Sequence, residues 1–403
     1  MIRRLFCKGA LLFFVAVFTA VLSPLSVAQT STVYVESNRA DQNSILAFRN
    51  SGGKLTFLGE FPTGGKGVFD LSLQLGPFDS DQNIETNAEG TVLYAVNSGS
   101  DSIAVFSVAT NGSLSPLPGS PFASGGINPV SVGIARDTLA VVNKAMDPAR
   151  PTLKQPNYVS FALSPEGTIE DGPLSTALAP MESSPSQADI SSGKRLVFDA
   201  QFLGGHLQSF LVAHDGSLIP QDFQALPESE FVGSSAPRLP LGLWTHPHQP
   251  ILYVGFVTIN RLGVYTYDST GHLQFVRSVP NSGQAICWIR SNADGTRLYT
   301  SNTGDNSISV YDTTVPLRPV EIQRVQLQGM GNAFQITIDP RGNYLYVVTQ
   351  RGDASIPLGE GNTLHVLKIN QPTGKLSEQG SSLVNLPVPP GTRPQGVVAV
   401  QNR

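Results

Sequence analysis

Beyond residue 30 the chain is written in short runs in which apolar and polar residues alternate, and the runs recur in a fixed order. Each unit holds an apolar stretch of the Leu-Tyr-Val kind, a polar turn, a second alternating run and a turn containing glycine. The anchors are Val33, Leu93, Leu139, Leu196, Leu252, Leu298 and Leu345, spaced 46 to 60 residues apart. Alternation with a period of two predicts strands that bury one side of each pleat. A repeat of this length with strand signals alone predicts the blades of a propeller, each too small to bury its own apolar faces without a neighbour.

The clearest copies are TVLYAVNSGSDSIAVFSVATNGSLSPL, from Thr91, and NADGTRLYTSNTGDNSISV, from Asn292. Gly53, Gly112, Gly167, Gly216, Gly271 and Gly374 recur at the third turn, where a tight hairpin needs a residue that tolerates positive φ. The sixth unit departs, with Val315-Pro316-Leu317-Arg318-Pro319 at that place. The first unit has no innermost strand ahead of it, whereas RPQGVVAV at the C-terminus resembles the blade-opening segments NPVSVGI, SPSQADI and LPLGLWT. The expected architecture is therefore an all-β, seven-bladed propeller of four-stranded antiparallel blades, closed by the C-terminal strand so that no sheet edge is left open.

Residues 1–28 do not follow the repeat. Arg3, Arg4 and Lys8 precede an apolar run, and Ser26-Val27-Ala28 offers small residues for cleavage, which is the form of a secretory signal peptide. Cys7 precedes the apolar run, the wrong side for a lipid anchor. The expected organisation is a signal peptide at 1–28 and a single propeller domain at 29–403. Without the leader the chain carries 23 basic against 30 acidic side chains, a net charge of −7 that disfavours nucleic acid and anionic membrane as partners. Its remaining cysteine, Cys287, lies in an apolar run with no histidine near it in sequence and is expected to be a buried packing thiol.

The stretches NAEGTVLYAVNSGSDSIAVFSV, IDPRGNYLYVV and RPQGVVAV resemble the lactonase-type seven-bladed propellers, the family of 6-phosphogluconolactonase and fungal carboxymuconate cyclase, related to YVTN-repeat propellers. The resemblance covers nearly all of the chain after the leader. It implies a central funnel in which blade-opening strands bring histidine and arginine to a lactone, as acid or base and as a cation for the carboxylate formed. The corresponding positions here read Val130 and Ser131, Ser186 and Gln187, Leu241 and Gly242, Phe334 and Gln335, so no catalytic residue is carried over.

Three stretches break the period, at residues 61–83, 145–157 and 350–362, and are expected to share one face. Within the first, the segment from Pro62 to Gln82, with several glycines and apolar residues, is expected to act as a lid or plug over the funnel, separable from the folded ring. Replacement catalytic groups are sought in Asp70, Asp199, Arg238 and Arg393, and ligand-binding groups in Glu36, Lys144, Asp147 and Arg351. Glu36 and Asp199 replace apolar residues, and a buried carboxylate is costly, so both are expected to face water, a cation or a ligand. His246 and His248 fall in an ordinary hairpin turn, expected to be solvated and opposite the funnel. Asn97, Asn143 and Asn302 end equivalent strands and are expected to close the following turns. Asp79, Asp81 and Asn83 alternate like calcium ligands, but Ile84 and Gly90 stand where the EF-hand loop needs glycine and glutamate.

These readings point to an exported, monomeric, extracytoplasmic protein without cofactor or metal. Its expected role is to bind a sugar-like or lactone-like small molecule or another exported protein. The alternative is a lactonase-type hydrolase that opens a sugar-derived lactone.

Overall fold

The computed structural model describes residues 30–70 and 79–402, leaving the side chains of residues 379–382 aside. The expected signal peptide lies outside the described residues. Seven antiparallel sheets follow one another around a ring. In chain order, the first blade joins Gln395–Gln401, Thr30–Glu36, Ser44–Ser51 and Lys54–Pro62, so the C-terminal strand is its innermost member and closes the ring. The innermost strands of the second to seventh blades are Ile84–Thr86, Pro129–Ala135, Asp189–Ile190, Pro240–Thr245, Ile286–Ser291 and Asn332–Ile338. The second blade differs slightly from expectation. Its outer edge is split between Leu114–Pro116 and Phe122–Ala123, both paired with Ser102–Val108.

Alternation along each strand sends neighbouring side chains to opposite sides of the blade. Val33 and Val35 pack with Tyr346, Val348 and Leu364 of the seventh blade, while Tyr34 packs with Leu93, Ala95 and Phe106 of the second. Seven apolar clusters of this kind lie between consecutive blades. No blade has a core of its own, which is why the repeat is stable only as a ring.

The tyrosine of the repeat also latches one blade to the next. The hydroxyls of Tyr34, Tyr94 and Tyr299 donate to the carbonyls of Gly112, Gly167 and Gly374 at 2.7–3.0 Å, each in the third turn of the following blade. The six turn glycines have φ between +73° and +93°. In the sixth blade, where the glycine is missing, Tyr253 donates to the carbonyl of Pro316 at 3.0 Å, so the irregular turn keeps the latch.

Blade-to-blade connections and second-to-third strand turns gather on one face, hereafter the loop face. His246 and His248 lie at the other face, as expected, but His246 is buried rather than solvated. Its Nδ1 accepts the backbone N–H groups of His248 and Gln249, and burial depresses its pKa.

Candidate functional site

The polar run from Asp79 to Asn83 does not lie over the channel but inside it. Ser80, Asp81 and Asn83 are at most 1% exposed. Asp81 donates its N–H to the Ser186 carbonyl (3.1 Å), and the Gln82 carbonyl accepts the N–H of Val132 (2.9 Å). Asn83 donates through Nδ2 to the Val130 carbonyl (2.8 Å), and Gln335 donates through Nε2 to the Ser80 carbonyl (2.7 Å). Gln187 bridges Gln82 Oε1 and the carbonyl of Leu243. The blade-opening positions at which the resemblance implies histidine and arginine thus hold the chain's own axial segment, through Val130, Ser186, Gln187 and Gln335. Gly242 has a packing duty as well: with φ +66°, a Cβ there would lie 1.7 Å from the Cys287 carbonyl oxygen.

The strongest single tie of the axial segment is ionic. Arg290 donates to both carboxylate oxygens of Asp81, at 2.6 and 3.1 Å, with both residues buried. Such a fork is the planar, two-bond geometry that guanidinium and carboxylate form best. The segment is therefore built into the core at residues 79–83, and the expectation of a separable lid is corrected there. Residues 71–78 of the same stretch lie outside the described residues.

Toward the loop face, buried charges gather around Asp79. Lys144 Nζ donates to the Asp79 carbonyl at 2.6 Å. Burial lowers the Lys144 pKa to about 8, against the pull of the Asp79 and Asp199 carboxylates. Arg393 donates through Nε to Gln350 Oε1 at 2.6 Å, and its guanidinium lies 5.8 Å from the Phe334 ring centre. Burial brings it down to about 10 despite Asp79 and Asp70. Phe334 packs against Trp288, with ring centres 5.9 Å apart, and Trp288 Nε1 is buried without a hydrogen-bond partner among the described residues. Cys287 is buried, and burial pushes its thiol to about 12, so it packs rather than reacts.

Asp199, expected to face water, a cation or a ligand, is fully buried, and the cation that acts on it is Lys144. Asp199 accepts the Tyr158 hydroxyl at 2.6 Å and the N–H groups of Ser186 and Gln187 at 2.8 and 2.9 Å. Burial nevertheless raises its pKa to about 6. Glu36 is likewise closed in: Oε1 accepts from Asn43 Nδ2 at 2.6 Å, Oε2 is buried without a partner, and burial lifts the pKa well above the ordinary range.

Of the other expected site residues, Asp70 is buried and its charge, like that of Arg351, reaches Arg393, whereas Asp147 and Arg238 lie apart from this cluster. Asp147 pairs with Arg150 at 2.6 Å within its own loop. Arg351 donates to the Ile356 carbonyl of its own loop at 2.7 Å. Arg238 stands beside Phe231 and 3.9 Å from Glu228. Asn97, Asn143 and Asn302 do more than close the following turn. Asn97 Oδ1 accepts Asn43 and Thr63, Asn143 donates to the Ser124 carbonyl, and Asn302 Oδ1 accepts Asn281, each partner lying on a preceding connection or neighbouring blade.

Sequence reasoning missed Glu85, Asp189 and Arg290, which interrupt apolar inner strands. That interruption was the available signal, since a charge at an inner-strand position has to find a partner or a cavity. Burial raises Glu85, and raises Asp189 to about 7.

The buried carboxyls set the pH dependence of stability. Asp189, Asp199 and Glu36 hold protons in the folded state at pH values where the unfolded chain has lost them. Their contribution is complete below about pH 4; that of Asp199 and Asp189 is lost as pH rises through about 6 and about 7, and that of Glu36 as pH rises through its own raised pKa. The urea midpoint, followed across that window, is expected to fall with rising pH. Asp189→Asn should flatten part of the slope.

The family description "Lactonase, 7-bladed beta-propeller" matches residues 221–390. No curated protein sequence is significantly similar to the chain. A candidate 6-phosphogluconolactonase from Bacteroides fragilis superposes with a TM-score of 0.66 at 16% identity, covering 94% of this chain and 99% of that one. The periplasmic gluconolactonase of Pseudomonas aeruginosa gives 0.65 at 14% identity, covering 92% and 99%. A protein from Lactobacillus plantarum gives 0.66 at 18% identity, covering 92% and 99%. At these identities the likeness is one of fold. Among the described residues no helix is long and apolar enough to cross a membrane. Repeat and closed ring make the chain a seven-bladed β-propeller, and its residues 221–390 are similar to the lactonase family of such propellers.

Proposed function

We propose that the protein acts outside the cytoplasm and binds a small, anionic, sugar-derived ligand at the loop-face mouth of the channel without turning it over. The observation that carries this reading is the pair of buried cations, Lys144 and Arg393, both within the field of Asp79, with Arg393 beside the Phe334 ring that packs on Trp288. Two cations and aromatic walls suit a carboxylate on a polyhydroxy chain. The blade-opening positions are engaged in holding the axial segment, which favours binding over turnover. The apolar leader and the periplasmic description of the Pseudomonas aeruginosa structure support the location.

The chain has two tryptophans, so Trp244→Phe leaves Trp288 as the sole reporter. In that background gluconate is expected to change the fluorescence saturably, and Arg393→Gln to weaken binding by about tenfold or more. An unchanged signal with gluconate and with its lactone would reject the reading.

Hydrolysis is the second reading, favoured by Asp199, whose carboxyl titrates near 6 beside Tyr158 and within the field of Lys144. A carboxylate with a pKa near the working pH is suited to act as general base, provided that water and a lactone are admitted to it. Purified protein is expected to open a panel of sugar lactones no faster than buffer does. Turnover lost in Asp199→Asn or Arg393→Gln would establish the hydrolase instead.

A further inference from the structure

At the face opposite the loops the channel opens again. Two adjoining recesses, of about 440 and 330 Å³, share Glu85 and Trp244, and together take residues from all seven innermost strands. Each falls in the size range of small-molecule sites. One holds Tyr299, Ile338, Ile369 and Val398 as apolar wall, and the other Ile134 and Ile190.

The charge on the floor does not balance. Asp81, Glu85 and Asp189 stand against one arginine, Arg290, and Asp81 takes up that arginine with both of its oxygens. Among the described residues Glu85 accepts the Thr86 N–H at 3.0 Å and Gln82 Nε2 at 3.3 Å, and Asp189 accepts the Thr245 N–H at 2.9 Å. The nearby cations, Lys194 and Arg341, are exposed on the rim. Asp294 and Asp339 are engaged with their own turns, at Thr296 and Tyr344. Trp244 donates to Ser291 Oγ at 2.8 Å, with the Arg290 guanidinium 4.6 Å from its ring centre. No group of three His, Cys, Asp or Glu residues among the described ones converges as metal ligands do. The excess negative charge is therefore placed for a cation that brings its own apolar body.

We propose that this mouth binds an alkylammonium group, with Glu85 as counter-ion and Trp244 as apolar wall. The ammonium donates to the free lone pairs of Glu85 while its alkyl chain lies along the aliphatic side of the recess. Because burial favours the protonated carboxyls of Glu85 and Asp189, the ammonium ion displaces protons on binding, and affinity rises as these groups ionise.

The test is calorimetric titration of the leaderless chain with n-butylammonium chloride, with n-butanol and magnesium chloride as comparison probes. Butylammonium is expected to bind more tightly at about pH 8 than at about pH 5, with heats near pH 7 that depend on the ionisation enthalpy of the buffer. Butanol and magnesium should bind about tenfold more weakly or not at all. Glu85→Gln, which keeps an oxygen for the Thr86 N–H, should weaken butylammonium binding by about tenfold, and Trp244→Leu should weaken it severalfold. Circular dichroism reports whether each variant keeps its sheet. If either variant unfolds, the proton release and the preference over butanol in the parent protein decide the matter. No heat with butylammonium, equal binding of butanol, tighter binding of magnesium, or undiminished binding by a folded Glu85→Gln protein each overturns the proposal.

Discussion

Deletion of residues 393–403 is expected to leave no cooperatively folded protein at 25 °C. The lost segment contains the innermost strand of the first blade, paired with Thr30–Glu36 along six residue pairs. Val397, Val398 and Val400 are at most 8% exposed and divide their contacts between the clusters on either side of that blade. Burying three valines contributes roughly 1.5–3 kcal/mol each, which already approaches the whole stability of an ordinary domain, about 5–15 kcal/mol. Removing the strand also opens a sheet edge inside the ring and takes Arg393 from Gln350. Size-exclusion chromatography and a thermal melt check the outcome. A soluble truncated protein that melts with the parent would show that the ring closes without this strand.

Arg290→Met is expected to be the most damaging single substitution on the axis. It leaves Asp81, Glu85 and Asp189 facing one another without their cation, and breaking a buried pair from one side costs about 3–5 kcal/mol. The loss should be largest near neutral pH and smaller near pH 5, where Asp189 and Glu85, raised by burial, take up protons. Adding Asp81→Asn should recover part of the stability, so that the two substitutions are far from additive in urea denaturation. Equal losses at both pH values, or additive effects, would mean that packing of the arginine stem rather than its charge holds the segment.

Architecture was legible because it rests on local, periodic signals. The leucine and valine anchors mark the second strand of each blade, the turn glycines mark positive φ, and the likeness of RPQGVVAV to other blade openings marks the closure. The latches were half legible: Tyr34, Tyr94 and Tyr299 belong to the repeat, but their acceptors are backbone carbonyls about 75 residues away. The axial segment was not legible as core. DSDQN is a sequence of turn residues, and its burial depends on backbone hydrogen bonds to strands that follow it, which leave no periodic trace. Asp81 meets Arg290 across 209 residues, and Asp199 meets Tyr158 across 41, distances over which spacing carries no information. Burial of the strand-end asparagines was hidden for a similar reason, because groups they satisfy lie on other connections, and His246 is covered by the Gly295 turn of the next blade.

Among the described residues, filling the axis with residues 79–83 leaves the ring without a thoroughfare. A molecule that enters at the loop face must leave by the same door, so any substrate and its product would compete for one exit. Solutes on the opposite side meet a separate, dead-ended vestibule with its own acidity and its own walls. The two ends then share a scaffold but not a solvent path, and occupancy of one is felt at the other only as strain or charge passed along five residues of chain.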